Sequence, residues 1–590
     1  MKIKNKIKTV ALWTDKNLLR LFCGFLLIFI PLYPKIPLAE LIPGYIVRMR
    51  LEDVFVLIAA GIWGVQVIRK RVKYQSIIHA MILLYLIIAF ISLLSAATIT
   101  QTIPWQPLHL GKSFLHWFRY IEYFTLFFIT FSSIESIKHI RTLTKAMIVT
   151  LILVVIYGYG QKYHYWPVFS TMNREFSKGI RLYLTEHARV QSTFGGHYDF
   201  AGYLVIMLNI IFGLALTCKQ KVSKITLHLI HLLGLWMLIL TASRVSFIAY
   251  YLGILSIIFT LSLTQKKFLH KTGYLISKSL LFSLLIGVMM ISFGQDMRDR
   301  LFHVVKDYPQ IEQTYSLVEE FVGDTYEEML VITKIKKSKP SGDWVAINST
   351  DQSEAERIAA EIDSVLDKTD QRPVSDKPRP DDVYVDVPDR VRVATESATG
   401  GTEYIMIDQE RTWSDNALKY GLSAAIRLDT LWPNAIKGLK KNPLLGTGYA
   451  TLNKESAFHF TEAESTDNNF LRALGETGLL GFLSFFAIVF FNAYLAYQLF
   501  KIEISKKESQ DSALIVGLAV GYIGLTVGLL VNAIYIDIFA SSKVAFTYWA
   551  VSGIIIALSY QPRFYSKVNN LYLAVLYKKY IKLLFKRKKK

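Results

Sequence analysis

Apolar residues in this chain gather into windows of roughly 16–25 residues that hold few charges, separated by short polar or basic segments. Most windows are long enough to cross a hydrocarbon core of about 30 Å. The dyad-alternating strands of about ten residues that build a transmembrane β-barrel are not seen. The pattern predicts an all-α polytopic membrane protein with about twelve transmembrane helices. They fall at about 19–36, 53–69, 76–98, 117–134, 146–162, 201–217, 225–241, 245–264, 279–294, 478–499, 513–534 and 543–560. The ninth is the shortest. Residues 1–294 thus form a membrane domain with helices 1–9, and 295–469 a large extracytoplasmic loop between helices 9 and 10. Residues 470–562 carry helices 10–12, and 563–590 form a basic tail.

The large loop changes character along its length. Within a polar insert at about 334–413, Ala355, Ile358, Ile362, Val365 and Leu366 recur at helical spacing, which predicts a short amphipathic helix. The stretch RPVSDKPRPDDVYVDVPDRVRV reads as a linker or a short edge strand. The insert is either a surface feature without chemistry or a small accessory subdomain that meets glycan or a partner. From about 415 to 440, Leu418, Leu422, Ala425, Leu428, Leu431, Ala435 and Leu439 recur at intervals of three and four. This predicts an amphipathic helix at the outer membrane interface, kinked at Pro433 and anchored by Trp432. NPLLGTG then turns the chain toward the tenth span.

Composition agrees: 52% of residues are hydrophobic and the mean hydropathy is +0.33. The net charge of +21 would suggest nucleic acid in a soluble protein. Here the lysines and arginines lie in RKRVKYQ, Ser136–Lys145, CKQKVSK, QKKFLHKTGYLISK and the KRKKK terminus, between alternate spans. That is the positive-inside pattern, so no nucleic-acid partner is expected. It places both termini in the cytoplasm and the large loop outside. The N-terminal apolar run lacks a small-residue cleavage pattern and reads as a retained helix. Cys23 and Cys218 lie in or beside spans, so no disulfide framework is implied.

Candidate chemistry gathers on the outer side. Arg189 precedes the sixth span, and Arg244 stands at the junction of the seventh and eighth. Each alone reads as a snorkelling arginine. Together with Arg427 they make a shared anion site, since guanidinium forks suit phosphate oxygens. Asp467 has two readings. It or Asn468 caps the helix formed by NFLRALGE, or Asp467 orients or deprotonates an acceptor hydroxyl. Glu476, with Gly478 and Gly481, reads as a tight helix junction, as do the turn glycines Gly446 and Gly448. Arg119 and Glu122, three apart, read as a supporting ion pair. His197 and Asp199 form no metal motif, and His459 lies in the outer loop. No phosphate-cradling glycine loop is present, so no internal ATPase, metal or cofactor is expected.

Four segments resemble the O-antigen ligase and O-antigen polymerase superfamily of bacterial integral-membrane glycan transferases. They are RVQSTFGGHYDFAGYL, TASRVSFIAYYLGI, RLDTLWPNAIKGLKKNPLLGTG and DNNFLRALGETGLLGF, in that order and on one side. The resemblance implies about twelve spans in the cytoplasmic membrane with a large external loop before the last few. It also implies transfer of glycan from an undecaprenyl-pyrophosphate carrier to a glycan, lipid or protein acceptor, without metal or nucleotide. By resemblance, Arg189 and Arg244 hold the pyrophosphate and acceptor region. Ligase members usually carry histidine, then asparagine, where this chain has Asp467–Asn468, and that departure leans toward a polymerase. The 334–413 insert is longer than is usual for the family.

The expected mechanism is a single displacement at the anomeric carbon. Arg189 and Arg244 stabilise the departing pyrophosphate, and Asp467 serves as base or acceptor-orienting carboxylate. Arg427, Asn468 and His197 position donor or acceptor. Membrane lipids and other envelope-polysaccharide assembly proteins are the further partners expected. The alternatives are an O-antigen-type ligase, a polytopic transporter of an envelope lipid or glycan, and a scaffold for envelope assembly.

Overall fold

The computed structural model describes residues 2–295 apart from breaks at 43–47, 73–75, 173–175 and 186–187. Beyond these it describes 297, 344–346, 378, 389–396, 402–409, 412–452, 465–504, 509–561 and 564. The helix expected in the insert, His459 and the basic tail lie outside the described residues.

The chain is an all-α multi-pass membrane protein. Among the described residues, ten helices are long and apolar enough to cross a membrane: α2 (Leu51–Ile68), α3 (Ile77–Thr98), α5 (Ile137–His164), α6 (His197–Thr217), α7 (Lys221–Leu240), α8 (Arg244–Ser262), α9 (Phe268–Phe293), and three that follow the large loop. Two further long helices stand where spans one and four are expected. In α1 (Lys2–Leu32) only Asn17–Leu32 is apolar. In α4 (Pro107–Ser133) the part up to Glu122 carries Lys112, His116, Arg119 and Glu122. Several sequence-based boundaries move. Helix α4 starts ten residues earlier than expected, at a proline suited to a helix's first turn. Helix α9, expected to be the shortest, runs for 26 residues. No proline interrupts Phe268–Phe293, so the helix continues through a stretch that includes Lys271 and Lys278.

Contacts between distant helix ends define two faces. At one face Lys35 pairs with Glu52 at 2.6 Å, and Lys543 Nζ donates to the carbonyls of Pro31, Tyr33 and Thr193. At the other, Arg69 and Arg71 pair with Asp15, Arg20 with Glu135, and Arg141 with Asp511. The helices after the loop are α13 (Asn469–Ile504), α14 (Gln510–Asn532) and α15 (Ser542–Ser559), with three short elements named below taking the intervening labels. Helices α6 and α15 form the centre: 89% and 94% of their apolar windows are buried, against 11% for α9. Helix α14 lies close against α6 because Gly517 and Gly521 face it. A Cβ on Gly517 would meet the Leu214 Cα at 2.9 Å, and one on Gly521 the Ile210 Cα at 2.8 Å. Small residues at such crossings let backbones approach where water supplies no drive for association.

The region read as one amphipathic helix is broken. Helix α10 (Asp415–Tyr420) ends at Gly421, whose φ is +79°. Helix α11 (Leu422–Ala425) passes through a π turn, Ile426–Leu431, into α12 (Trp432–Lys441). Proline cannot donate a backbone hydrogen bond, and its ring crowds the carbonyl four residues back, here Asp429. The wide turn just before Pro433 accommodates both effects. Nor does the region offer its whole apolar stripe to the interface. Ala417, Ala425, Ala435 and Gly438 are buried while Leu418 and Leu428 are exposed, and the indole nitrogen of Trp432 is enclosed.

Outside the helices, the Pro/Asp-rich run expected as a linker or edge strand ends in β5 (Asp389–Glu396). This pairs antiparallel with β6 (Thr402–Gln409), from Asp389 opposite Gln409 to Glu396 opposite Thr402. Short strands β1 (Pro37–Ala39) and β2 (Met49–Arg50) pair with each other. In a third pair, β3 (Leu182–Leu184) meets β4 (Trp344–Ala346), tying the insert to the segment before α6.

Candidate functional site

Asp467 sits in the turn that starts α13, with φ at +49°, a left-handed backbone that aspartate, like asparagine, adopts more readily than most non-glycine residues. The turn is held from below by Asp537, in the connection between α14 and α15. One Asp537 oxygen accepts from the Asn468 amide at 3.0 Å. The other accepts from the Thr466 amide at 2.9 Å, the Ser465 hydroxyl at 3.0 Å and Arg472 Nη1 at 3.0 Å. The peptides on both sides of Asp467 are therefore fixed. The cap falls to Asn468, whose side-chain oxygen accepts from the Leu471 amide at 3.0 Å. Asp467 is left with its side chain aimed elsewhere.

It points to Arg427, on the π turn. Arg427 Nη2 meets Asp467 Oδ2 at 2.8 Å, and Ser465 donates its hydroxyl to Asp467 Oδ1 at 2.6 Å. The guanidinium lies over the Tyr535 ring, 4.0 Å from its centre. Its Nη1 is taken up by the Ser423 carbonyl, the Ser423 hydroxyl at 2.8 Å and the Tyr535 hydroxyl at 3.4 Å. Its Nε is buried and, among the described residues, has no hydrogen-bond partner. Burial raises the Asp467 pKa above the ordinary value, while the Ser465 hydroxyl and the Arg427 charge oppose the shift.

Arg189 and His197 form a second pair. Arg189 Nη1 approaches His197 Nε2 at 2.6 Å. Arginine can only donate, so Nε2 accepts and the ring proton sits on Nδ1. His197 opens α6, and the Val190 amide donates to the Leu240 carbonyl, placing Arg189 beside the end of α7. Arg244 opens α8. Two residues on, Ser246 exchanges hydrogen bonds with Asn532 at the end of α14, the helix that leads to Tyr535 and Asp537. All four sequence-predicted charged candidates therefore stand at one end of the bundle. Direct pairing joins Arg427 to Asp467 and Arg189 to His197.

The residues expected to be structural make the following contacts. Arg119 Nη1 reaches Glu122 at 2.8 Å and also Asp53 at 2.5 Å. Glu476 pairs with Arg472 at 3.1 Å and accepts from the Ala450 amide at 3.1 Å. Gly446 and Gly448, at φ +68° and +89°, turn the chain so that the Thr447 and Gly448 amides bond to the carbonyls of Gly475 and Glu476. Gly478 breaks α13 with φ +65° and ψ −169°, a region open to glycine alone. The helix thus begins at Asn469, nine residues ahead of the expected span, and bends where GLLG begins. Gly481 packs against Thr477 within its own helix.

Sequence reasoning missed Asp537, Tyr535, Arg472 and Ser465. Arg472 and Glu476 stand four apart on one helix, a legible signal. Asp537 is an acidic residue in the otherwise apolar connection NAIYIDIFA, which is also a signal. Among the described residues no cluster of three or more His, Cys, Asp or Glu side chains could hold a metal ion. Compared with family models and with curated proteins, the chain matches none. What it shares with the O-antigen ligase and polymerase superfamily is the multi-pass all-α architecture, which is not specific to that superfamily.

Proposed function

We propose that this protein transfers or polymerises glycan from an undecaprenyl-pyrophosphate-type lipid carrier at the outer face of a bacterial cytoplasmic membrane, in the manner of a polymerase. In this reading α1 and α4 complete a set of twelve spans. Both termini are cytoplasmic, and the face that carries Asp467 is the outer one. The observation that carries the proposal is the pairing of a buried guanidinium, Arg427, with a carboxylate at the rim of the bundle, Asp467, whose pKa burial raises. A phosphate-binding cation and a proton-accepting group so close together are the two parts that displacement at a sugar–pyrophosphate bond requires. Arg189 and Arg244, at the same end, extend the cationic surface along which a pyrophosphate would lie. His197 holds Arg189 in place. Four loose motifs in family order support the same reading.

The mechanism is a single inverting displacement. The acceptor hydroxyl attacks the anomeric carbon as its proton passes to Asp467. The bond from that carbon to the pyrophosphate oxygen breaks, and the arginines carry the charge that develops there.

Glycan length, measured with purified protein in lipid vesicles, tests this. Lipid-pyrophosphate oligosaccharide alone is expected to yield a ladder of products. Asp467→Asn should lower the rate about 10²–10⁴-fold, and Arg244→Ala about 10²–10³-fold. Product formed only when a lipid or protein acceptor is added would make the protein a ligase. Movement of donor across the vesicle wall without transfer would make it a transporter. A folded protein that does neither would leave only a scaffold role.

A further inference from the structure

The Arg427–Asp467 pair is incomplete in a way that points to a third party. In a guanidinium, Nε and Nη2 share one edge, and that edge is what a carboxylate or phosphate grips with two oxygens. Asp467 grips it with one. Its Oδ2 takes Nη2, its Oδ1 is turned to Ser465, and Nε is left buried without an acceptor. A buried donor without a partner is costly, so the edge is built for something better. Nη1 of Arg427 is committed to Ser423 and Tyr535, and the ring beneath fixes the plane. The two partners also differ in freedom. The Arg427 side chain is 6% exposed and that of Asp467 30%. The backbone around Asp467 is pinned by Asp537, so the carboxylate leaves by turning its side chain, with no movement of the loop. The neighbouring cation Arg472 is engaged by Glu476 and Asp537.

We propose that Asp467 is a built-in counter-anion for Arg427, holding a seat that a phosphate-type oxyanion takes by gripping Nε and Nη2 together, and that the oxyanion's arrival is what frees the carboxylate. The identity of the oxyanion, the pyrophosphate of a lipid-linked donor, rests on the function proposed above. The displacement itself does not. Once released, Asp467 has lost the Arg427 charge that opposed its protonation, so its proton affinity rises when donor is in place. The acceptor proton then passes to Asp467, the new bond forms from acceptor oxygen to anomeric carbon, and the electron pair of the broken bond goes to the pyrophosphate oxygen that Arg427 holds. Without donor the base stays tied up, and water at the rim gains no activated carboxylate.

Binding of two soluble probes by the full-length protein in detergent tests this without any transfer assay. The probes are symmetrical dimethyl pyrophosphate, which has the linkage pattern of the donor headgroup, and dimethyl phosphate, which stands for an ordinary phospholipid headgroup. Dimethyl pyrophosphate is expected to bind Asp467→Asn about tenfold more tightly than the unaltered protein, because the competing anion is gone. Arg427→Lys, which keeps the charge and lacks the two-donor edge, should bind weakly, and adding Asp467→Asn to it should restore little. A difference infrared spectrum should show a carboxylate band that moves when the probe binds and is missing in Asp467→Asn. That readout needs only one folded variant. Equal affinity of unaltered protein and Asp467→Asn, with Arg427→Lys still impaired, would overturn the displacement and leave the proposed function standing. Equal binding of both probes would assign the seat to a phospholipid and overturn the link to the donor. No binding of either probe to any form would overturn this inference and the proposed function together.

Discussion

At the scale of single residues, Asp467 is held in a charge state that its surroundings resist. Its pKa is raised by burial, so the folded protein binds its proton more tightly than the unfolded chain does. The sign of the linkage follows. The contribution to stability is fully present below the ordinary aspartate pKa of about 3.9 and is lost as pH rises through the higher folded value. Asp467→Asn removes that loss, so its melting temperature relative to the unaltered protein should be higher at pH 8 than at pH 4. A gap that narrows or reverses with rising pH would show that the Arg427 attraction outweighs burial. Asp537 has a structural part. It gathers two amides, a hydroxyl and the Arg472 guanidinium on one buried carboxylate. Asp537→Ala should cost about 3–5 kcal/mol, the usual loss when one partner of a buried pair is removed, read as a fall in denaturation midpoint. Arg189, Arg244, Arg427 and Asp467 could be picked out in the sequence because each stands at an apolar boundary where a charge demands a reason. Asp537 and Tyr535 could not be linked to them, because that link spans about 70 to 108 positions and exists only once α14 and α15 have packed.

At the scale of elements, apolar windows predict where helices lie but not where they begin. Helices α4, α5 and α9 all extend beyond their apolar parts, since nothing in the flanking polar residues stops a helix. The bend in α13 was legible as GETGLLG, and its consequence is geometric. Gly478 adopts a backbone that other residues avoid, and a Cβ there would stand 2.4 Å from the carbonyl carbon of Leu444. Gly478→Ala should therefore cost more than the 1–3 kcal/mol typical of such backbone strain. It should also separate the Gly446–Gly448 turn from α13, which protease sensitivity near residue 446 would report. The amphipathic segment was legible in its period and misleading in its role. The same three-and-four spacing that suggests a surface helix also buries Ala425 and Ala435 and brings Arg427, between them, under the Asp467 turn.

At the scale of the whole molecule, the basic segments predict an orientation that the two faces of the bundle make testable. Cysteines placed at Gln101 and at Lys221 of a cysteine-free variant should react oppositely with a membrane-impermeant reagent in intact cells, Gln101→Cys labelled and Lys221→Cys protected. The reverse result would place the Asp467 face in the cytoplasm and remove the outer-face reading. The number of helices was broadly legible from hydropathy. Their arrangement was not, because every apolar window satisfies the membrane equally well, and close contacts that exist only after packing, such as those of Gly517 and Gly521 with α6 and of Gly553 with the Phe127 carbonyl, decide which windows are central. The most enclosed helix, α15, is also the last of the described helices to leave the ribosome, and its Lys543 ties the carbonyls at the end of α1 to those before α6. The earlier spans therefore leave the ribosome before one of their two central members. A ribosome that stalls before Ser542 leaves behind a bundle that keeps α6 and α14 but lacks the helix that ties them to α1 and α4.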